Sequence, residues 1–149
     1  MYIRYKQQTM VVKKLILTTL IGTVAYYAVG WFVFEFMLGN YTNLHTTQLA
    51  GFKKTAEQFG LVPMVLSCGT YAALLSFILV YLLNCKELVK AAMIGCVVGV
   101  LVAIMADSFW YATSNFYLNS TVVLFDILAA GVTVGFMGLV IALSNKKLS

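Results

Sequence analysis

The fold is decided by an apolar run near the end of the chain, residues 122–143, which reads VVLFDILAAGVTVGFMGLVIAL. This run holds one charged side chain, that of Asp126. A helix of about 20 residues, at ~1.5 Å rise per residue, crosses the ~30 Å hydrocarbon layer of a bilayer. Its backbone polar groups find no water there, so helical hydrogen bonds must satisfy them. The run therefore predicts a membrane-spanning helix, Val122–Leu143.

Three earlier stretches have the same character, namely Leu15–Leu38, Leu61–Leu83 and Ala91–Ala112. The chain is 62% hydrophobic and 10% charged, whereas soluble domains average roughly 45–50% apolar and ~25% charged residues. Short connections between membrane helices make neighbouring helices antiparallel. The sequence therefore predicts an all-α membrane protein with a single domain, residues 1–149, and four transmembrane helices in an antiparallel bundle.

The basic residues divide unequally between the two sides of this bundle. Eight lie in the two tails and in the connection between the second and third spans. Lys53 and Lys54 lie in the connection between the first and second spans, and residues 113–121 contain none. Because Lys and Arg are enriched in cytoplasmic loops, we expect both termini to be cytoplasmic. The scattered bases offer no soluble face for nucleic acid, and we expect none as a partner.

The first outer connection is the only sizeable segment outside the predicted spans. Its first half, GNYTNLHTTQL at residues 39–49, is polar and turn-like. Its second half, AGFKKTAEQFG at residues 50–60, can form a short helix that lies along the membrane surface. The apolar side of this interfacial helix would consist of Leu49, Phe52, Ala56 and Phe59.

Small residues recur at four-residue spacing in the third and fourth spans. The pairs are Gly95 with Gly99 and Gly131 with Gly135. Such spacing allows the backbones of membrane helices to approach closely. The pattern predicts helix packing, and it leaves open whether the packing is within the chain, in a homo-oligomer or in a larger membrane complex.

Three carboxylic acids lie within or at the rim of the apolar spans. Asp107 lies ~24 Å along the third helix from Ala91, and Asp126 lies ~7.5 Å into the fourth from Thr121, at ~1.5 Å per residue. Both fall in the outer third of the bilayer, whereas Glu35 lies near the outer rim. Ionisable groups at membrane depth are costly and are functional-site hypotheses by default.

Helical rotation places each acid on a face of its helix. Asp107 is predicted to share a face with Trp110, Tyr111 and Ser114; Asp126 with Ala129, Ala130 and Thr133; and Glu35 with Val24, Ala28 and Trp31. In the first and fourth helices the acids and the glycines then occupy different faces. We therefore expect one of these faces to meet a polar cavity, a second subunit or another partner.

Two interpretations of the acids remain open. In the first, Asp107 and Asp126 are ligands of an outward-facing cation or proton site, with Glu35 at its mouth and the polar groups of Tyr111, Asn115, Ser114 and Thr133 completing it. In the second, each acid is structural, either protonated in the low dielectric or hydrogen-bonded between helices.

Enzyme signatures are missing from the sequence. The one histidine, His45, cannot build a multi-histidine metal site, and the three cysteines have no metal-ligand spacing. There is no phosphate-binding loop and no nucleophile elbow. We therefore expect no catalytic residues, no metal and no cofactor, with the lipid bilayer as the certain partner.

Three stretches carry a resemblance to a known group of proteins: KKLILTTLIGTVAYYAVGWFVFEFMLGN (13–40), DSFWYATSN (107–115) and FDILAAGVTVGFMGLVIAL (125–143). The chain resembles small four-helix bacterial inner-membrane proteins that form a domain-of-unknown-function family. The resemblance implies a four-helix architecture and a bacterial inner membrane, and it brings no catalytic residues.

The sequence favours a structural or accessory membrane subunit that packs with itself or with a larger complex. This hypothesis has two grounds. The first and fourth helices each have a glycine face and an acid face that lipid does not suit, and little of the chain lies outside the membrane. The alternative is a small cation- or proton-coupled transporter or channel that uses the acidic site. A lipid-binding or sensor role for the outer loop is a weaker third possibility.

Overall fold

The computed structural model describes residues 2–49 and 60–148, with side chains from residue 10 onward. Within these ranges the chain forms five helices, which we number in chain order. They are α1 (Tyr2–Trp31, continued by the π-helical segment Phe32–Met37), α2 (Gly39–His45), α3 (Leu61–Ser76, continued by the π-helical segment Phe77–Leu82), α4 (Leu88–Thr113) and α5 (Ser120–Lys147).

The prediction of an all-helical chain with four helices of membrane-spanning length is confirmed. The segments that are long and apolar enough to cross a membrane are Met10–Met37, Leu61–Leu82, Leu88–Thr113 and Ser120–Lys147. The helices continue past the predicted runs at several ends, for example through Ser144 to Lys147. Hydropathy falls at the first polar residue, whereas helical hydrogen bonding does not depend on polarity. The chain is a multi-pass membrane protein.

The segment that follows the first span differs from its prediction. A turn-like stretch was expected at residues 39–49, and this was wrong for Gly39–His45, which forms α2. Two polar side chains there bond to carbonyls one turn earlier, an arrangement compatible with a helix. Thr46 Oγ1 donates to the Thr42 carbonyl at 2.8 Å, and His45 Nδ1 donates to the Tyr41 carbonyl at 2.9 Å. The Tyr41 ring also packs edge-on against Phe125 of α5, with centroids 5.2 Å apart.

The predicted interfacial helix lies almost wholly outside the described residues. Of its four apolar positions, Phe52, Ala56 and Phe59 fall in the range 50–59. Leu49 is described, and its side chain is exposed.

Helices α4 and α5 pack against each other along their small residues. A Cβ added to Gly99 of α4 would lie 2.7 Å from the Ala130 carbonyl oxygen, and one added to Gly138 of α5 would lie 2.5 Å from that of Ala91. The four glycines predicted to pack, Gly95, Gly99, Gly131 and Gly135, all lie at this contact. Because Gly95 meets Val134 and Gly138 meets Ala91, the two helices run in opposite directions.

The second buried face of α5 is covered by α1. Gly22 of α1 lies against Ile141, since a Cβ there would be 3.1 Å from the isoleucine side chain. Near the other end of the contact, a Cβ on Gly30 would be 3.7 Å from the Thr133 methyl group. Helix α5 therefore lies between α4 and α1, and α3 packs mainly on α1.

The end of α3 is tied to the end of α5 by a polar contact. The buried side chain of Asn145 donates from Nδ2 to the Cys85 carbonyl at 3.1 Å. The chain turns there through Asn84, whose φ of 42° lies in the left-handed region that asparagine tolerates. This contact fixes one end of α3 near α5.

Candidate functional site

The connection between α4 and α5 is short and capped at both ends. Helix α4 ends where the Ser114 hydroxyl donates to the Trp110 carbonyl at 2.7 Å. Helix α5 begins after Asn119, whose side-chain oxygen accepts from the Val122 amide at 3.0 Å, a typical N-cap. These caps place Tyr117 in a tight reversal between the two helix ends.

The reversal is also held by the segment that follows α2. The Thr47 amide donates to the Phe116 carbonyl at 2.9 Å, and the Leu118 amide donates to the His45 carbonyl at 3.0 Å. The two bonds form an antiparallel bridge between Thr46 and Tyr117. Backbone groups from two distant parts of the chain thus fix Tyr117 from both sides.

The hydroxyl of Tyr117 joins the two aspartates. It lies 3.0 Å from Oδ1 of Asp107 and 3.4 Å from Oδ2 of Asp126. Both carboxyl groups therefore lie within reach of the same phenol. We call these three residues the acid cluster. Each aspartate lies six residues from the nearer end of its helix, ~9 Å at ~1.5 Å per residue, so the two acids share one depth.

Asp107 is buried on the small-residue face of α4. Its exposed fraction is 6%, and it continues the buried series Ala91, Gly95, Gly99 and Ala103. Trp110 and Tyr111, which were expected to share its face, are 50% and 48% exposed. The buried series ends at Asp107, so the packed small residues before it are a better guide to its surroundings than the exposed aromatic residues after it.

The acid cluster has more hydrogen-bond acceptors than donors. An ionised carboxylate only accepts, and a phenol carries a single proton. Tyr117 can therefore donate to one aspartate at a time. Oδ2 of Asp107 is buried and has no hydrogen-bond partner within the described residues. Two adjacent negative charges repel each other, so the arrangement favours neutralisation of one of them by a proton or a cation.

The environment of Tyr117 keeps its hydroxyl available as a donor. Burial raises the pKa of Tyr117 above its usual range, and the charges of Asp126 and Asp107 raise it further. The protonated phenol is therefore favoured across the physiological pH range, and its proton can point to either carboxyl group.

The other residues of the predicted site do not join the acid cluster. Glu35 is exposed on α1 and lines a groove between α1 and α3. Asn115 lines a separate cavity of about 150 Å³ beside Ser114 and Trp110. Thr133 is fully buried and donates to the Ala129 carbonyl at 2.8 Å.

Tyr117 is the member of the acid cluster that the candidate set omitted. Tyrosines near the ends of membrane helices commonly anchor the interface, so the residue type alone does not indicate a site. The place of Tyr117 in a nine-residue connection between two acid-bearing helices was the available signal, because such a short loop keeps its side chains near both helix ends.

Residues 2–49 and 60–148 contain no group of three His, Cys, Asp or Glu side chains close enough to hold a metal ion. The acid cluster itself consists of two carboxyl groups and one phenol, which can accept and donate protons.

Two grooves open beside α3, whose main contact is with α1. The groove between α1 and α3 has a volume of about 350 Å³. The groove between α3 and α4 has a volume of about 570 Å³, and Val102 of α4 forms its far wall.

Comparisons of the chain with protein-family models, with curated proteins and with solved structures found no match.

Proposed function

We propose that this protein is a small proton-coupled cation transporter in which Asp107 and Asp126 form the coupling site. The observation that supports this proposal is that two carboxyl groups meet at the single hydroxyl of Tyr117, 3.0 Å and 3.4 Å away. Two carboxylates this close repel each other when both carry a charge. A transporter that exchanges protons for cations needs a site that either of them can neutralise. The paired carboxyl groups form such a site.

We propose a location and orientation from the lysines and arginines. The eight-to-two division of basic residues favours cytoplasmic termini, and with these the acid cluster faces the outer side of the membrane. The resemblance to bacterial proteins favours the inner membrane. The antiparallel bundle is supported by the opposite directions of α4 and α5.

The accessory-subunit hypothesis stays a prediction, with less support than it had from sequence. It was based on helix faces that required a covering other than lipid. In α5 that second face is covered by α1, through Gly22 against Ile141 and Gly30 against Thr133. The chain itself therefore supplies part of what was expected of a partner.

The proposal is tested by measuring proton movement in proteoliposomes. A pH-sensitive dye inside the vesicles would report protons when a gradient of sodium, potassium or tetramethylammonium is imposed. We expect at least one gradient to drive protons through the native protein. Asp107→Asn and Asp126→Asn should each lower the rate at least tenfold, because asparagine keeps the shape and loses the titratable group.

Glu87→Gln is the matched control. Glu87 is an exposed acid just before α4, at the far end of that helix from Asp107, and its removal should leave the rate unchanged. Failure of all three gradients to move protons, or unchanged rates in both asparagine variants, would overturn the proposal.

A further inference from the structure

The groove between α1 and α3 combines aromatic rings with a carboxylate. Its lining includes Tyr26, Tyr27, Trp31, Phe34 and Glu35 from α1, with Met64 from α3 opposite. Its volume of about 350 Å³ falls within the ~300–1,000 Å³ typical of small-molecule sites. The groove therefore has the size and the largely apolar lining of a ligand site.

The chemistry of this lining selects for positive charge. An aromatic face attracts a cation with about 0.5–2 kcal/mol, the more so where water is excluded. Glu35 adds a carboxylate to the lining of the groove, next in sequence to Phe34. The described lysines of α1, Lys13 and Lys14, lie about 20 residues away along the helix, ~30 Å at ~1.5 Å per residue. No basic group of α1 thus competes for Glu35 within the described helix.

The backbone around Glu35 is irregular where the rings converge. Helix α1 changes from α-helical to π-helical geometry at Phe32–Met37, and single π-helical turns occur frequently at functional sites. Phe34 and Glu35 of this segment both line the groove. Glu35 lies within this segment, so the groove's one carboxylate stands on a locally distorted helix.

We infer that this groove binds a hydrophobic organic ammonium ion, with its charged head held by Glu35 and the aromatic rings of α1. A small inorganic cation needs several oxygen ligands in place of its water shell, and the groove offers one carboxylate among rings. A quaternary ammonium carries its charge on methyl groups that contact rings directly. The inference rests on the proposed function in one respect, since it names the cation that the transporter would carry.

The groove and the acid cluster are neighbours through α1. Tyr26 of α1 lines the groove. Gly30 also lines the groove and packs near Thr133, seven residues along α5 from Asp126. Helix α1 therefore lies between the groove and the helix that carries Asp126.

The test uses Trp31 as its reporter. The sequence contains two tryptophans, so Trp110→Phe leaves Trp31, in the groove, as the only one. The purified full chain would be placed in phosphatidylglycerol nanodiscs, whose headgroups carry no ammonium, and titrated with benzyltrimethylammonium. We expect a saturable change in Trp31 fluorescence. Neopentylbenzene, the uncharged analogue of the same shape, should bind at least tenfold more weakly.

Glu35→Gln in the same background should weaken binding of benzyltrimethylammonium at least tenfold, and Glu87→Gln should leave it unchanged. Equal affinity for the charged and uncharged probes, or an unchanged affinity in Glu35→Gln, would overturn the inference. Loss of the response in phosphatidylcholine nanodiscs would assign the groove to a lipid headgroup and would equally overturn it.

Failure of this inference can be told apart from failure of the proposed function. If benzyltrimethylammonium still binds to Asp107→Asn but no gradient drives protons through the native protein, the ammonium site is supported and the proposed transport is not. If sodium drives protons but benzyltrimethylammonium does not change Trp31 fluorescence, transport is supported and this site is not.

Discussion

The hydroxyl of Tyr117 lies within hydrogen-bonding distance of both aspartates. Its ring comes from a loop, whereas Asp107 and Asp126 come from the helices on either side of that loop. A buried carboxylate without a donor loses hydrogen bonds that water would otherwise provide. The hydroxyl therefore stabilises the pairing of the two acids as well as the packing of the two helix ends.

Tyr117→Phe should destabilise the protein by about 1–3 kcal/mol, because the buried acceptors lose their shared donor while the ring is kept. Thermal unfolding in detergent, followed by circular dichroism, measures this. Tyr111→Phe removes a hydroxyl from a half-exposed ring and should change stability by less than about 0.5 kcal/mol. Equal melting temperatures for the two variants would show that the Tyr117 hydroxyl contributes nothing.

The two aspartates could be paired from sequence, and the rest of the site could not. Depth along a helix follows from residue count, which placed Asp107 and Asp126 at one level. The position of Tyr117 depends on the bridge to Thr46, 71 residues earlier in the chain, and no local pattern encodes such a contact. Glu35 lies nearer the outer rim, and it lines the groove between α1 and α3.

At the scale of elements, the contact between α4 and α5 depends on missing side chains. Gly99 lies so close to α5 that a Cβ would be 2.7 Å from the Ala130 oxygen and 2.8 Å from the Val134 Cβ. Real Cβ atoms do not approach backbone atoms so closely, so any larger residue must separate the helices. Separation there would also change the spacing of Asp107 and Asp126 further along the same contact.

Gly99→Ala should therefore lower the free energy of unfolding by about 1–3 kcal/mol, the usual range for overpacking. Gly69→Ala is the matched control, because a Cβ there would meet Thr23 Oγ1 at an ordinary 3.8 Å. Alanine forms helices better than glycine by about 1 kcal/mol, so the control should be neutral or stabilising. A melting temperature for Gly99→Ala at or above that of the native protein would contradict the close contact.

The apolar runs predicted the long helices, and the exceptions have local causes. Helix α2 was missed because its polar residues resemble a loop in composition, while their side chains bond back to the helix and Tyr41 packs on Phe125. The π-helical turns at Phe32–Met37 and Phe77–Leu82 leave no trace in hydropathy. Their apolar residues are equally compatible with regular α-helix.

At the scale of the whole molecule, helix α5 is the centre of the arrangement. Half of the residues in the most apolar stretch of α5 are buried, against 17% in the most apolar stretch of the first span. Its hydrophobicity is nearly uniform around the helix, which suits a segment enclosed by neighbours on two sides. This explains why rotation alone could not decide which of its faces would meet lipid.

The orientation proposed for the molecule can be read with reporter fusions. We expect a green fluorescent protein at the C-terminus to fluoresce and alkaline phosphatase at the same point to be inactive, since Lys146 and Lys147 favour the cytoplasm. Active phosphatase at that position would reverse the assignment. The acid cluster would then face the cytoplasm.

The backbone bridge between Thr46 and Tyr117 has a thermodynamic consequence for the two halves of the molecule. It holds the loop that supplies the phenol to the segment that leads from α2 towards α3. If occupation of the acid pair shifts the phenol, the bridge strains or relaxes, and by linkage any displacement of that segment alters the affinity of the pair equally. Through these two hydrogen bonds, the position of the segment after α2 is coupled to the position of the phenol, and so to the affinity of the carboxyl groups for a proton or a cation.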